Sequence, residues 1–544
     1  MQPTRDDRGH LVVFLHAHLP YVRHPEHDDS LEEEWLYEAI TETYLPLLAV
    51  VEGWLRDGIP ARLTVSLSPP LLEMLRDELL VRRYTRRLHR LLDLAESEVH
   101  RNANDERFRC TAKMYRDRLA DTLRRFETCY SGDVVAAFKR LQDAGIIEIV
   151  TSCATHAFLP CFDLRYARAQ IRLGVRAYRE HFGHDPAGMW LPECGFAPGI
   201  DRLLADEGLN YFLTDSHAIA YADPLPVFGT YSPVVCPSAV FAFPRDLESS
   251  AQVWSAAWGY PGDSRYREFY RDIGHDLEGP SITPFRLPGG GRKNVGIKYH
   301  RVTGRDVPLH EKQPYHRGWA LAAADEHASH FVSDRAQQAE HWRTVLGRPP
   351  VIVAPYDAEL FGHWWFEGPE FLDLVVRKSA RDQQAYRLSS PADVIDSGLG
   401  FQVATPAASS WGAYGYSDTW LNGRNDWIWP HMHHAIEALA RITADRPDAG
   451  GIQRRALNQL AREALLASSS DWPFIITMGT MVAYAESRVR SHINRFNSLL
   501  AQIRAHAIDE QWLAKVEDCD NIFQYIDYQD LWPQGGNGED CQKL

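Results

Sequence analysis

The sequence predicts an α/β protein, a distorted (β/α)7 barrel with a helical inserted domain and a C-terminal α-helical domain. Three observations predict it. Seven short apolar runs each end in polar residues; a Leu- and Arg-rich stretch with helical spacing separates the second run from the third; and helical spacing returns past about residue 400.

The runs come in a regular order. Leu11–Leu15 leads to His16 and His18, Arg62–Ser66 to Ser68, and Ile146–Val150 to Thr151, Ser152 and His156. Gly188–Pro192 delivers Glu193, and Tyr211–Leu213 delivers Asp215. Val240–Phe243 precedes Arg245 and Asp246, and Val351–Ala354 leads through Pro355 and Tyr356 to Asp357. Such runs read as buried parallel strands. Chemistry-bearing side chains at every C-terminal end are the pattern of a barrel mouth, which collects residues from many strands. Seven is one short of the usual closure and leaves room for an incomplete barrel.

The barrel is expected at residues 1–70 and 140–400, with 71–139 as the helical insertion. Residues 401–530 are expected to form the C-terminal helical domain, and 531–544, polar and Gly-rich, a flexible tail. Pro288 to Gly291 lacks the spacing of a phosphate loop and reads as a turn.

Composition excludes several classes. With 45% hydrophobic and 24% charged residues, the 544-residue chain is an ordinary globular protein rather than a disordered one. A net charge of −15 argues against nucleic acid as partner and suits a neutral substrate. No signal peptide or membrane span is expected, since the start is polar and no window approaches ~18 apolar residues. The eight cysteines form no C-x-x-C pair, so reduced thiols in the cytoplasm are expected.

Five segments could carry chemistry. In His16-Ala-His18 the two imidazoles share a strand face; the readings open are metal ligation, sugar contact and a structural role, and a third metal ligand is not evident. Glu193, between Pro192 and Cys194-Gly195, is held at the mouth, unless it merely pairs with a nearby arginine. Asp357 follows another buried strand and is crowded by aromatics, which exclude water and raise a carboxyl toward the range a general acid needs. Glu359, two residues on, competes for that role. The Gly-spaced aromatics from Trp411 to Trp420 read either as a sugar-stacking platform or as packing of the C-terminal domain on the barrel. Asp471 reads as a helix N-cap or as a substrate contact. Two carboxylates on different strands of one barrel are what glycosyl transfer requires, one acid having to protonate the departing oxygen.

Taken in order, these segments resemble the five motifs of glycoside hydrolase family 57, and among its members the 1,4-α-glucan branching enzymes. His16-Ala-His-Leu-Pro20 is similar to the first motif, Glu148 to His156 to the second, and Trp190-Leu-Pro-Glu-Cys194 to the third. Pro355 to His363 is similar to the fourth, and Ser470-Asp-Trp472 with its following helix to the fifth. The resemblance implies Glu193 as nucleophile and Asp357 as general acid/base of a retaining double displacement. It places His16, His18, His156 and Asp471 around the donor sugar. It further implies a mobile loop with a tyrosine at its tip, matched here by Tyr231, and an aromatic cleft, matched by Trp35, Trp411 and Trp420. No cofactor and no metal are implied, so the His-x-His pair is expected on sugar hydroxyls.

The expected function is glucan branching, with an α-1,4-glucan as donor and acceptor. The alternatives are an α-amylase or 4-α-glucanotransferase on the same site, or a catalytically silent glucan-binding protein. A metal-dependent deacetylase would need an Asp-Asp and His-x-x-x-His set that the sequence lacks.

Overall fold

Nine strands hydrogen-bond into a single sheet in the structure, a computed structural model that describes residues 7–255, 258–287 and 289–532. They are β1 (Gly9–Ala17), β2 (Leu63–Leu67), β3 (Ile147–Ser152), β4 (Gly188–Trp190), β5 (Tyr211–Thr214), β6 (Val234–Val235), β7 (Phe241–Pro244), β8 (Val351–Asp357) and β9 (Tyr386–Leu388). Their order is β6-β7-β5-β4-β3-β2-β1-β8, with β9 beside the start of β1. Every pairing is parallel except β6 with β7.

All seven predicted strands are present. β6 and β9 are additions of two and three residues, too short to leave a periodicity in the sequence. The sheet stays open: among the described residues no ladder joins β7 to β8, and a backbone hydrogen bond from Asp246 N to Val353 O (2.8 Å) bridges the gap. As an edge strand, β8 can carry Pro355, which has no N–H to give a neighbour. β1 is buried along its whole length, as expected for a strand covered on both faces.

Helices fill the connections. Between β2 and β3 run Pro69–Arg76, Glu78–Arg101, Arg109–Arg124 and Val134–Asp143. Asp77 and Asp133 accept from Leu80 N and Ala136 N, satisfying first-turn donors of two of them. The helix Leu164–Phe182 lies so close on β3 that a Cβ on Gly174 would sit 2.1 Å from Ser152 O. Only glycine fits there, and the contact fixes the end of β3.

At the C-terminal side, Gly451–Ala467 and Val482–Ala505 pack together, with the short helix Asp471–Met478 between them in sequence. This group is tied to the strand ends. Thr155 Oγ1 donates to Leu465 O (2.6 Å), and Ala157 bridges Ser469. Leu11, Leu88 and Leu457 belong to one continuous core, so barrel, insertion and C-terminal helices share their packing. The tail expected at 531–544 lies, from residue 533 on, outside the described residues, as does Pro288 of the glycine-rich turn.

Candidate active site

The parallel register sets the first row of the site. His16 on β1 stands opposite Ser66 on β2 and opposite Asp357 on β8. His16 Nδ1 meets Ser66 Oγ at 3.2 Å, its ring stacks on Trp190 (4.5 Å between centroids), and its Nε2 lies 3.0 Å from His156 Nε2. Burial and the neighbouring His18 push His16 well below its ordinary value, so it is neutral. His156 is held down in the same way.

Glu193 stands at the end of β4. The strand stops at Trp190, two residues before the predicted end, because Pro192 has no N–H to continue the ladder and enters a tight turn. In that turn Glu193 takes φ 62° and ψ 21°, and Cys194 also has positive φ. Left-handed backbone is costly for residues with a Cβ and is retained where surroundings hold it. The strain lies in the backbone of the residue that carries the carboxylate and of Cys194 after it.

Two neutral donors hold Glu193. Trp411 Nε1 donates to Oε2 at 2.9 Å, and Ser470 Oγ donates to Oε1 at 2.8 Å. His156 Nδ1 lies 3.8 Å from Oε1 and 2.9 Å from Ser470 Oγ. The arginine alternative therefore fails for Glu193: Arg245, at the end of β7, pairs with Asp215 instead.

Asp357 has a different environment. Burial lifts its carboxyl well above the usual carboxylate range, and the charges of Glu359 and then Glu193 push the same way. Glu193 is raised by burial too, but the Trp411 and Ser470 hydrogen bonds pull it back. A donated hydrogen bond stabilises the ionised form, whereas a nearby like charge opposes it. Both carboxyls are raised, but hydrogen bonds offset the rise at Glu193, so Asp357 is the more strongly biased toward the acid form. Glu359 turns away to accept from Tyr44 and from His18 N, and burial pushes it up to about 7.

His18 Nδ1 meets Ser68 Oγ at 2.8 Å, and its Nε2 lies 3.1 Å from Asp471 Oδ2. Asp471 is the first residue of its helix rather than the cap, and Ser469 also donates to it. His18, His156 and Asp471 bring one ligand atom each within 4.8 Å of one another, supplying the third metal-type ligand that the sequence did not display. Ser68, Ser470, His16 and Ser469 hold these same side chains, so the cluster is a hydrogen-bond network.

The aromatic expectations divide. Trp35 is half-buried and meets Tyr484 edge-on at 5.8 Å, and Tyr484 in turn meets Trp472, next to Asp471. Trp420 is a correction: it is 1% exposed and stacked on Phe158 at 4.4 Å, so no sugar can reach it. Packing of the C-terminal helices on the barrel is its role, and Trp429 hydrogen-bonds its carbonyl. The exposed rings of that stretch are Tyr414 and Tyr416, at 87% and 52%.

Tyr231 is the second correction. It stacks on Trp342 at 4.1 Å, and its carbonyl accepts from Val351 N at the start of β8. From there to Asp357 the strand runs about 20 Å at ~3.3 Å per residue, so Tyr231 lies at the far end from the mouth. The connection leaving the mouth end of β7 carries several exposed aromatics, Trp254, Trp258, Tyr270 and Trp319 among them. Sequence reasoning also missed Ser470 as a partner of Glu193, although its neighbour Asp471 was singled out.

The fold and this site define a class: incomplete parallel barrels that set a pair of unlike carboxyl groups at the strand ends. Residues 12–403 match the glycosyl hydrolase family 57 model, and residues 431–531 match the 1,4-alpha-glucan branching enzyme C-terminal model. The chain belongs to glycosyl hydrolase family 57. It is 34% identical to a 1,4-alpha-glucan branching enzyme of Thermococcus kodakarensis, over 95% of this chain and 78% of that protein. The crystal structure of an alpha-amylase from Thermotoga maritima superposes with TM-score 0.90 at 45% identity, covering 96% of this chain and 99% of that one. The branching enzyme of Pyrococcus horikoshii gives TM-score 0.86 at 32% identity, with 97% of each chain covered.

Proposed function

We propose that this chain is a 1,4-α-glucan branching enzyme, a retaining transglycosylase of glycogen-type polysaccharide synthesis. The observation that carries the reading is the unequal treatment of the two carboxyls: burial and like charge raise both, and the Trp411 and Ser470 donors offset the rise at Glu193. Glu193 attacks the anomeric carbon of an α-1,4-glucan as the bond to the departing 4-oxygen breaks, and Asp357 gives that oxygen its proton. A 6-hydroxyl of the acceptor then attacks the same carbon, Asp357 takes the hydroxyl proton, and Glu193 leaves. The product is an α-1,6 branch. His16, His18, His156 and Asp471 line the donor sugar, Trp411 steadies Glu193, and Trp35 belongs to the aromatic wall.

Relatives described as branching enzymes, and the match of the C-terminal segment to their model, support this reading. One observation favours a second: the relative at 45% identity is described as an alpha-amylase. In that case water replaces the 6-hydroxyl in the second step. Proton NMR of products from amylose separates the two, since new α-1,6 anomeric signals support branching and reducing ends without them overturn it.

The same reading keeps residues 71–139 as an inserted domain and 401–530 as a C-terminal domain around the barrel. It puts the protein in the cytoplasm, a location supported by seven free cysteines among the described residues. No described helix is long and apolar enough to cross a membrane.

A further inference from the structure

Trp411 reaches Glu193 from a loop whose base is tied to the barrel and whose tip stands out in solvent. At the base, Ala407 N donates to Ala218 O at 2.8 Å, and Phe196 and Ser409 exchange backbone hydrogen bonds at 2.9 and 3.0 Å. Beyond Ser409 the chain turns through Gly412, Tyr414 and Gly415, with Tyr414 87% exposed and at φ 61°. Inside the turn, Ser410 N donates to Gly415 O at 2.8 Å and Gly415 N donates to Gly412 O at 3.0 Å.

A side chain from the barrel grips this turn. His217, two residues past Asp215 at the exit of β5, donates from Nε2 to Gly415 O at 2.8 Å. Its Nδ1 lies 3.3 Å from Asp215 Oδ1, and its ring meets Tyr416 edge-on at 5.6 Å. Asp215 is itself fixed. It accepts from Ser216 N at 2.6 Å and Ser216 Oγ at 3.0 Å, and it pairs with Arg245 at the end of β7.

Gly415 admits the imidazole. Its φ is +80°, and a Cβ there would lie 2.8 Å from His217 Cε1 and 2.9 Å from Nε2. Glycine is thus required both by the backbone and by the approach of the ring.

The near end of the same turn meets the carboxylate. Trp411 N donates to Glu193 O at 3.0 Å, and Trp411 Nε1 donates to Glu193 Oε2 at 2.9 Å. Gly415 O takes Ser410 N on one side and His217 on the other, so hydrogen bonds run from Arg245 and Asp215 to the residue before Trp411. Supporting contacts of this kind set how tightly a site group is held.

We propose that His217 is a positioning residue for Glu193: by fixing Gly415 it holds the Trp411 indole against the carboxylate and favours the ionised form. The inference rests on the reading of Glu193 as nucleophile and adds a residue that acts through Trp411. The other titratable groups facing Glu193 are His156, Asp471, His18 and Asp357, and none of them lies on this turn.

The test is a double-mutant cycle read by the pH profile of kcat/KM, with amylose turnover followed by iodine staining. His217→Asn keeps a polar group facing Asp215 but falls short of Gly415. It should lower kcat about tenfold with KM held within about twofold. The acid limb should move up by about half a pH unit, because Glu193 loses part of a donor. His217→Gln, whose amide reaches the place of Nε2, should recover most of both. In Trp411→Phe protein, which lacks the donor, His217→Asn should move the limb no further. A limb that His217→Asn leaves in place, or moves equally in both backgrounds, overturns the positioning role. If Trp411→Phe leaves the limb in place, the proposal falls while the nucleophile reading stands. Persistent activity of folded Glu193→Gln protein removes both.

Discussion

Ser470 donates a hydrogen bond to Glu193 at 2.8 Å across 277 residues of sequence, joining the C-terminal helices to the turn after β4. The same hydroxyl lies 2.9 Å from His156 Nδ1, so one serine orients both a carboxylate and an imidazole. The C-terminal region therefore helps to form the surroundings of Glu193 and is not only a cover over the barrel.

Replacing Ser470 with Ala removes a donor that favours the ionised Glu193. The Glu193 carboxyl should rise, and the acid limb of kcat/KM against pH should move to higher pH. We expect kcat on amylose to drop about 10- to 100-fold, of the order seen when a buried charged group loses a hydrogen bond. An unmoved acid limb would contradict the role given to Ser470.

The Glu193→Gln variant should lose at least ~10³-fold in amylose branching followed by iodine staining. Its circular dichroism should match that of the unaltered protein. Persistent activity in a folded variant removes Glu193 from the nucleophile's place.

Asp357 is raised by burial first and by Glu359 second, and the general-acid role proposed for it requires the protonated form. Activity should therefore decline as pH rises through its value. Glu359→Gln keeps an acceptor for Tyr44 and His18 but removes the charge, so Asp357 should titrate lower and the alkaline limb should move to lower pH. A shift in the opposite direction would mean that Glu359 does not act on Asp357 through its charge.

Tyr231 and Trp420 should behave as packing residues. Trp420→Ala should lower the thermal midpoint, with a cost of about 3–5 kcal/mol for a buried tryptophan. Tyr231→Ala should leave KM for amylose within about twofold, since the ring stacks on Trp342 at the far end of the barrel. A large KM effect without loss of stability would return Tyr231 to the cleft.

Much of the barrel was legible from local signals. Runs such as Leu11–Leu15 and Val351–Ala354 are continuous and apolar because strands buried on both faces need no alternation. Their polar exits at His16 and Asp357 mark the mouth because loops there must leave the core. β6 and β9 stayed hidden, since two- and three-residue strands exist only through their partners.

Sequence by itself determined the seven-strand frame, the helical stretch after β2, and the two acids at strand ends. Each is set by chemistry within a few residues of chain. The tertiary structure alone decided the partners of those acids: Trp411 and Ser470 on Glu193, and Glu359 with burial on Asp357. It also decided that Trp420 packs inward while Trp364 faces solvent. Hydrogen bonding, burial and like-charge repulsion depend on distances through space, and these are fixed only when segments hundreds of residues apart close on one another.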